Sequence, residues 1–126
     1  MKRIILLTLF LFSPTLALAI PAGNQGFAAS AGVTGGQGGR NIIVTNLNSS
    51  GTGSLLAAIE ASGPRYITFA PGLNGTIKFT SNADANSNMT IDGSGHNITI
   101  AGFSLSILNG ARNIIVHNLT FANTCV

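Results

Sequence analysis

The sequence predicts an all-β chain coiled as a right-handed, single-stranded parallel β-helix, with one short α-helix capping its N-terminal end. Two observations carry this. From Arg65 onward the chain is a series of runs of three or four residues that alternate apolar and small polar side chains, separated by Gly, Asn and Asp: Tyr66–Phe69, Thr76–Phe79, Met89–Ile91, Ile98–Ile100, Leu105–Ile107, Ile114–Val116 and Leu119–Phe121. Such alternation turns one face of each strand to a core and the other to solvent. The strand-end residues Ile91, Ile100, Ile107 and Val116 lie 9, 7 and 9 positions apart. Those steps span 25 residues, one turn of a three-sided solenoid, and stack Val116 over Ile91. Strands this short, with few hairpin-grade turns between them, fit a coil that bends and continues better than a sandwich.

Asn88 opens NMTID and Asn113 opens NIIVH, as Asn41 opens the earlier NIIVTN. Stacked Asn side chains at turning positions can bond from turn to turn, which gives Asn88 and Asn113 a structural reason to be there. Between Gly53 and Pro64 the period changes to 3.6. The predicted helix covers 54–62: Ser54 caps it, Leu55, Leu56 and Ile59 share a buried face, Glu60 points away, and Gly63-Pro64 stops it.

Ahead of these elements, Lys2 and Arg3 precede an uncharged run, Ile4–Ala19, closing on Ala17 and Ala19. This is the pattern of a signal peptide over residues 1–19, and the run is short for a membrane span. It implies a secreted, extracellular protein with no membrane association after cleavage. Residues 20–40 form a Gly-rich lead-in ending GGQGGR. A phosphate-cradling loop would run into a helix through Gly-Lys-Ser/Thr, whereas this one runs into a strand. The organisation expected is thus a signal peptide (1–19), a lead-in (20–40), and a cap with the first helical turns (41–126), the chain being cut short at its C-terminus.

The full chain carries a net charge of +3, but Lys2 and Arg3 supply two of those charges. The remainder sets Arg40, Arg65, Lys78 and Arg112 against Glu60, Asp84 and Asp92, leaving +1. Four scattered basic residues make no nucleic-acid footprint. Cys125 is the single cysteine of a chain bound for an oxidising compartment. It calls for a downstream partner, an intermolecular bond, or burial as a free thiol.

The ordered motifs GVTGGQGGRNIIVTN, the helix ending in Ser-Gly-Pro-Arg, GTIKF, TIDG, NITIAG and NIIVHNLTF resemble the N-terminal third of pectate lyases and related pectin-lyase-fold proteins. The resemblance covers nearly all of the chain beyond residue 19. It implies that the helix plugs the open end of the β-helix, and it implies β-elimination of polygalacturonate from plant cell walls. In that chemistry Ca2+ draws charge off the substrate carboxylate while an arginine takes the C5 proton. It also implies that the calcium-binding acids and the arginine lie on turns after the NLTF strand, and the sequence runs only five residues past Phe121. No position matches them, so no catalytic, cofactor-binding or metal residue is assigned, and the chain alone is expected to be inactive.

The individual polar residues have plain readings. Asp92 reads as a turn former and Asp84 as part of the Asn-rich loop 81–88. His96 and His117 have no acidic sequence neighbour and read as surface or turn histidines, while Arg65 and Arg112, just ahead of strands, are expected to stay solvated. Asn48, Asn74, Asn88, Asn97 and Asn118 head Asn-x-Ser/Thr sequons. Either glycosylation or the Thr-alternating, Asn-turning pattern itself accounts for these. A non-catalytic secreted β-helix, adhesin-like or carbohydrate-binding, is the alternative function, because ITFAPGLNGTI also resembles adhesin-like repeats and the fold hosts both.

Overall fold

A computed structural model describes residues 30–107 and 110–122. The expected signal peptide and Cys125 lie outside the described residues. Among the described residues nine strands form three parallel stacks. The first stack holds β1 (Arg40–Val44), β2 (Arg65–Phe69), β5 (Met89–Asp92) and β8 (Ile114–His117). The second holds β3 (Gly75–Phe79), β6 (Ile98–Gly102) and β9 (Thr120–Ala122), and the third holds β4 (Ala83–Asp84) and β7 (Leu105–Ser106). The two middle turns, β2–β4 and β5–β7, contribute one strand to each stack, β1 precedes them and β8 and β9 follow, which is the parallel β-helix expected.

The register is the one the spacing predicts: Ile91 pairs with Val116, and Ile42, Ile67 and Ile91 follow one another in line. Ile67, Ile77, Ile91, Ile98 and Ile100 are buried; Ile67 stacks on Ile91 in the first stack and Ile77 on Ile100 in the second, and together they line one apolar core. Asn113 Nδ2 donates to Asn88 Oδ1 at 2.8 Å, so the predicted Asn ladder is present. Both residues turn the chain with left-handed backbone, φ 61° and 60°, a conformation that Asn tolerates better than most side chains. Asn41 does not join them. It pairs with Tyr66 inside β1, and the likeness of NIIVTN to NIIVH is out of step with the register by two residues. The Asn-rich loop also holds a strand the period did not reveal, β4, whose Ala83 pairs with Leu105.

The helix α1 spans Leu55–Glu60, shorter than 54–62. Ser54 caps it by accepting a hydrogen bond from the Ala57 N–H, and Leu55, Leu56, Ala58 and Ile59 are buried while Glu60 is exposed. Ile59→Ala should therefore cost about 2–4 kcal/mol in a urea melt, as other large-to-small core changes do, and Glu60→Ala should be nearly silent. Equal effects would contradict this orientation.

Arg65 corrects the expectation of a solvated side chain. It is 0% exposed. In β2 it alternates with Ile67 and Phe69, which places it on the inward face between Arg40 and Met89. Its Nε donates to the Ala58 carbonyl at 2.9 Å and its terminal nitrogens donate to the carbonyls of Ile59, Gly63 and Ser87. The first two carbonyls belong to the last turn of α1, where no intrahelical donor reaches. A cation is favourable there. Arg112, by contrast, is exposed as expected.

The lead-in crosses the outer face of the first stack. Gly36 N–H donates to Thr90 Oγ1 at 3.0 Å, leaving Thr90 buried, and the amides of Thr34 and Gly35 both donate to Asn113 Oδ1 at 2.8 Å. Glycine is required at 36, because a Cβ there would overlap the Arg65 carbonyl.

Candidate functional site

The densest group of titratable side chains lies on the outer face of the first stack, on β2, β5 and β8. Asp92 ends β5 and pairs in register with His117 at the end of β8. Tyr66, from β2, donates its hydroxyl to Asp92 Oδ2 at 2.7 Å, and the Ser94 N–H donates to Asp92 Oδ1 at 2.8 Å. His117 Nδ1 stands 3.5 Å from Asp92 Oδ1. Period-2 alternation puts these side chains outside, and the 25-residue turn brings the acid over the histidine.

Burial by itself would raise the Asp92 pKa, but the bonds from Ser94 and Tyr66 and the charge of His117 outweigh it and hold the carboxyl down at about 2. Burial first, then the bond to Asp92 and its charge, push Tyr66 up to about 12. Asp92 thus lends stability above its ordinary pKa of about 4, lost as pH falls towards 2. Tyr66 lends stability below its ordinary 10, lost as pH rises towards 12. Tyr66→Phe should remove the alkaline limb and weaken the acid one in melts recorded across pH, and an unchanged profile would show that the hydroxyl contributes nothing.

His117 has no acidic neighbour in sequence, as read, but the stacking of turns brings Asp92 beside it. Asn118 Nδ2 also lies 2.7 Å from His117 Nδ1. One nitrogen cannot accept from the amide and donate to the carboxylate at once. The contacts of His117 Nδ1 with Asn118 and with Asp92 are therefore alternatives. Alternation placed His117 outside, but only the register supplies its partner. His96 is a turn residue as expected, half-buried, with Nδ1 2.8 Å from the Leu73 carbonyl oxygen and its ring tilted over Phe69.

The remaining acids stand elsewhere. Glu60 is on α1 and Asp84 on β4, both exposed. Among the described residues no three His, Cys, Asp or Glu side chains gather in a way that could hold a metal ion. Calcium takes six to eight oxygen ligands. Asp92, with its oxygens already engaged by Tyr66 and Ser94, does not fit that role. At the far end of the stack Leu105, Ile107, Ile114, Val116 and Phe121 line an apolar groove continuous with the core. No helix among the described residues is long and apolar enough to cross a membrane.

A parallel β-helix capped by a short helix and laddered by Asn defines the class of this chain. Comparison with known proteins narrows it. The chain is 38% identical over 115 residues to probable pectate lyase C of Aspergillus fumigatus, and the same figures hold for that of Neosartorya fischeri. It is 37% identical over 106 residues to probable pectate lyase C of Aspergillus terreus. The first two alignments cover 88% of this chain and 26% of the relative, the third 82% and 24%. The chain therefore spans about a quarter of the length of the curated relatives it matches. No family model matches it. The resemblance to pectate lyases read from the motifs holds in sequence over most of the chain and agrees with its fold.

Proposed function

We propose that this chain is the capped N-terminal part of a secreted pectate lyase. The longer protein would cleave polygalacturonate by calcium-dependent β-elimination outside the cell, and these residues would supply its scaffold. The observation that carries this reading is the similarity to probable pectate lyases over 88% of the chain, laid on a capped parallel β-helix. The engagement of Asp92 by Tyr66 and Ser94 supports a reading in which the chemistry falls on other turns of the longer protein. The secreted setting rests on the pattern of residues 1–19. The relatives' names favour a lyase over an adhesin-like β-helix.

The test is an assay of the 126-residue chain with polygalacturonate and calcium, followed by the ultraviolet absorbance of unsaturated uronate. The chain alone should give no product above background, whereas a version continued through the following turns should give calcium-dependent product. Activity of the short chain that disappears in Asp92→Asn or Arg112→Ala would overturn the assignment. An inactive long version would overturn the lyase reading.

A further inference from the structure

The five sequons are equivalent as sequence, and the fold makes them unequal. In Asn88-Met89-Thr90 the asparagine is spent on the ladder with Asn113, and Met89 and Thr90 are buried in β5. Asn74 accepts from the Asn97 N–H at 2.6 Å and donates to the Gly72 carbonyl, and Thr76 is held in β3. Asn118 donates to Ser94 Oγ at 2.7 Å, with Thr120 in β9. Asn97 is exposed, but Ile98 and Thr99 belong to β6, paired on one side with β3 and on the other with β9. Thr76, Thr99 and Thr120 stack in register, so these three sequons are one repeat of the helical turn.

Asn48-Ser49-Ser50 stands apart. All three residues lie in the loop between β1 and α1, outside every strand, and Asn48 and Ser50 are exposed. The Asn48 backbone N–H donates to Asn46 Oδ1 at 3.1 Å, while its carboxamide carries no hydrogen bond among the described residues. An acceptor sequon must present the amide and the hydroxyl two residues on to one enzyme, which a tripeptide locked in a ladder cannot do.

We propose that Asn48 is an N-glycan acceptor, and that of the five sequons it alone is open in the folded chain. The co-substrate is a lipid-diphosphate-linked oligosaccharide. Asn48 Nδ2 attacks the anomeric carbon, the N–C1 bond forms, and the bond from C1 to the phosphate oxygen breaks. The lipid diphosphate leaves with the electron pair, and the amide proton passes to a base of the transferase. The cellular setting rests on the secreted reading above, whereas the test does not.

Purified, folded full-length chain is incubated with an oligosaccharyltransferase and its lipid-linked donor, and read by intact mass and peptide mapping. A synthetic peptide of residues 45–53 serves as the positive control. One glycan per chain is expected, on Asn48, and it should be lost completely in both Asn48→Gln and Ser50→Ala. A glycan on Asn74, Asn88, Asn97 or Asn118 would overturn the proposal. So would an unmodified chain beside a modified peptide, or failure of the transferase to use the peptide itself. Because neither substituted side chain makes a hydrogen bond among the described residues, both variants should melt like the parent.

Discussion

Arg65→Ala should destabilise the folded chain by about 3–5 kcal/mol, the largest effect expected of any single substitution here. The guanidinium is fully buried with no carboxylate beside it, and what offsets its desolvation is a ring of carbonyl oxygens. Burial, and then the charge of Arg40, lower its pKa, so the site spends part of its favourable interaction on keeping the cation inside. Truncation leaves the Ala58 and Ile59 carbonyls buried without a donor at the end of α1, and it loosens the link from the helix to Ser87 in the next turn. Arg65→Met keeps the volume but not the donors and should cost nearly as much. Arg65→Lys keeps the charge but not the planar fork and should fall between. Urea melts of the three variants decide this, and losses all below about 0.5 kcal/mol, the range of ordinary surface changes, would refute it.

Asn113→Ala should cost about 2–4 kcal/mol, combining lost hydrogen bonds with left-handed strain. Its carboxamide oxygen receives two lead-in amides, and its nitrogen donates to Gly35 O at 3.0 Å, to Thr34 Oγ1 at 3.2 Å and to Asn88 Oδ1. One side chain therefore joins three parts of the molecule. Asn113→Gly separates the two contributions, because glycine accepts φ 61° without strain and should be the milder variant by about 1 kcal/mol. Asn113→Asp keeps the acceptor for the amides but sets a carboxylate oxygen against the Asn88 and Gly35 oxygens. It should be destabilised near neutral pH and partly recover in acid. Limited proteolysis gives an independent reading, since cleavage near Thr34 should accelerate in all three variants. A lead-in that resists protease in Asn113→Ala would show that the strap is held by something else.

Much of the fold was legible because a β-helix repeats its own local rule. Alternation identified the inward Ile residues, the 25-residue spacing stacked Ile91 under Val116, and the shared Asn contexts anticipated the Asn88–Asn113 bond. Each of these depends on residues within one turn or on the fixed length of a turn. Arg65, read as solvated just ahead of a strand, instead belongs to β2 and shares its inward side with Ile67 and Phe69. Only the tertiary structure decided this, by closing the end of α1 over the guanidinium and supplying carbonyls from positions 58, 59, 63 and 87. The same is true of His117, whose acidic partner lies a full turn away at Asp92, and of β4, which shows no period until it pairs with β7. It is true again of the lead-in, whose glycines read as slack until the Thr34 and Gly35 amides meet a side chain at position 113. Sequence determined what repeats, because the repeat is written in local period and turn length. Tertiary structure decided what closes the repeat, because a cap and a strap are made by polar groups from distant segments whose bonds exist only once the turns are stacked.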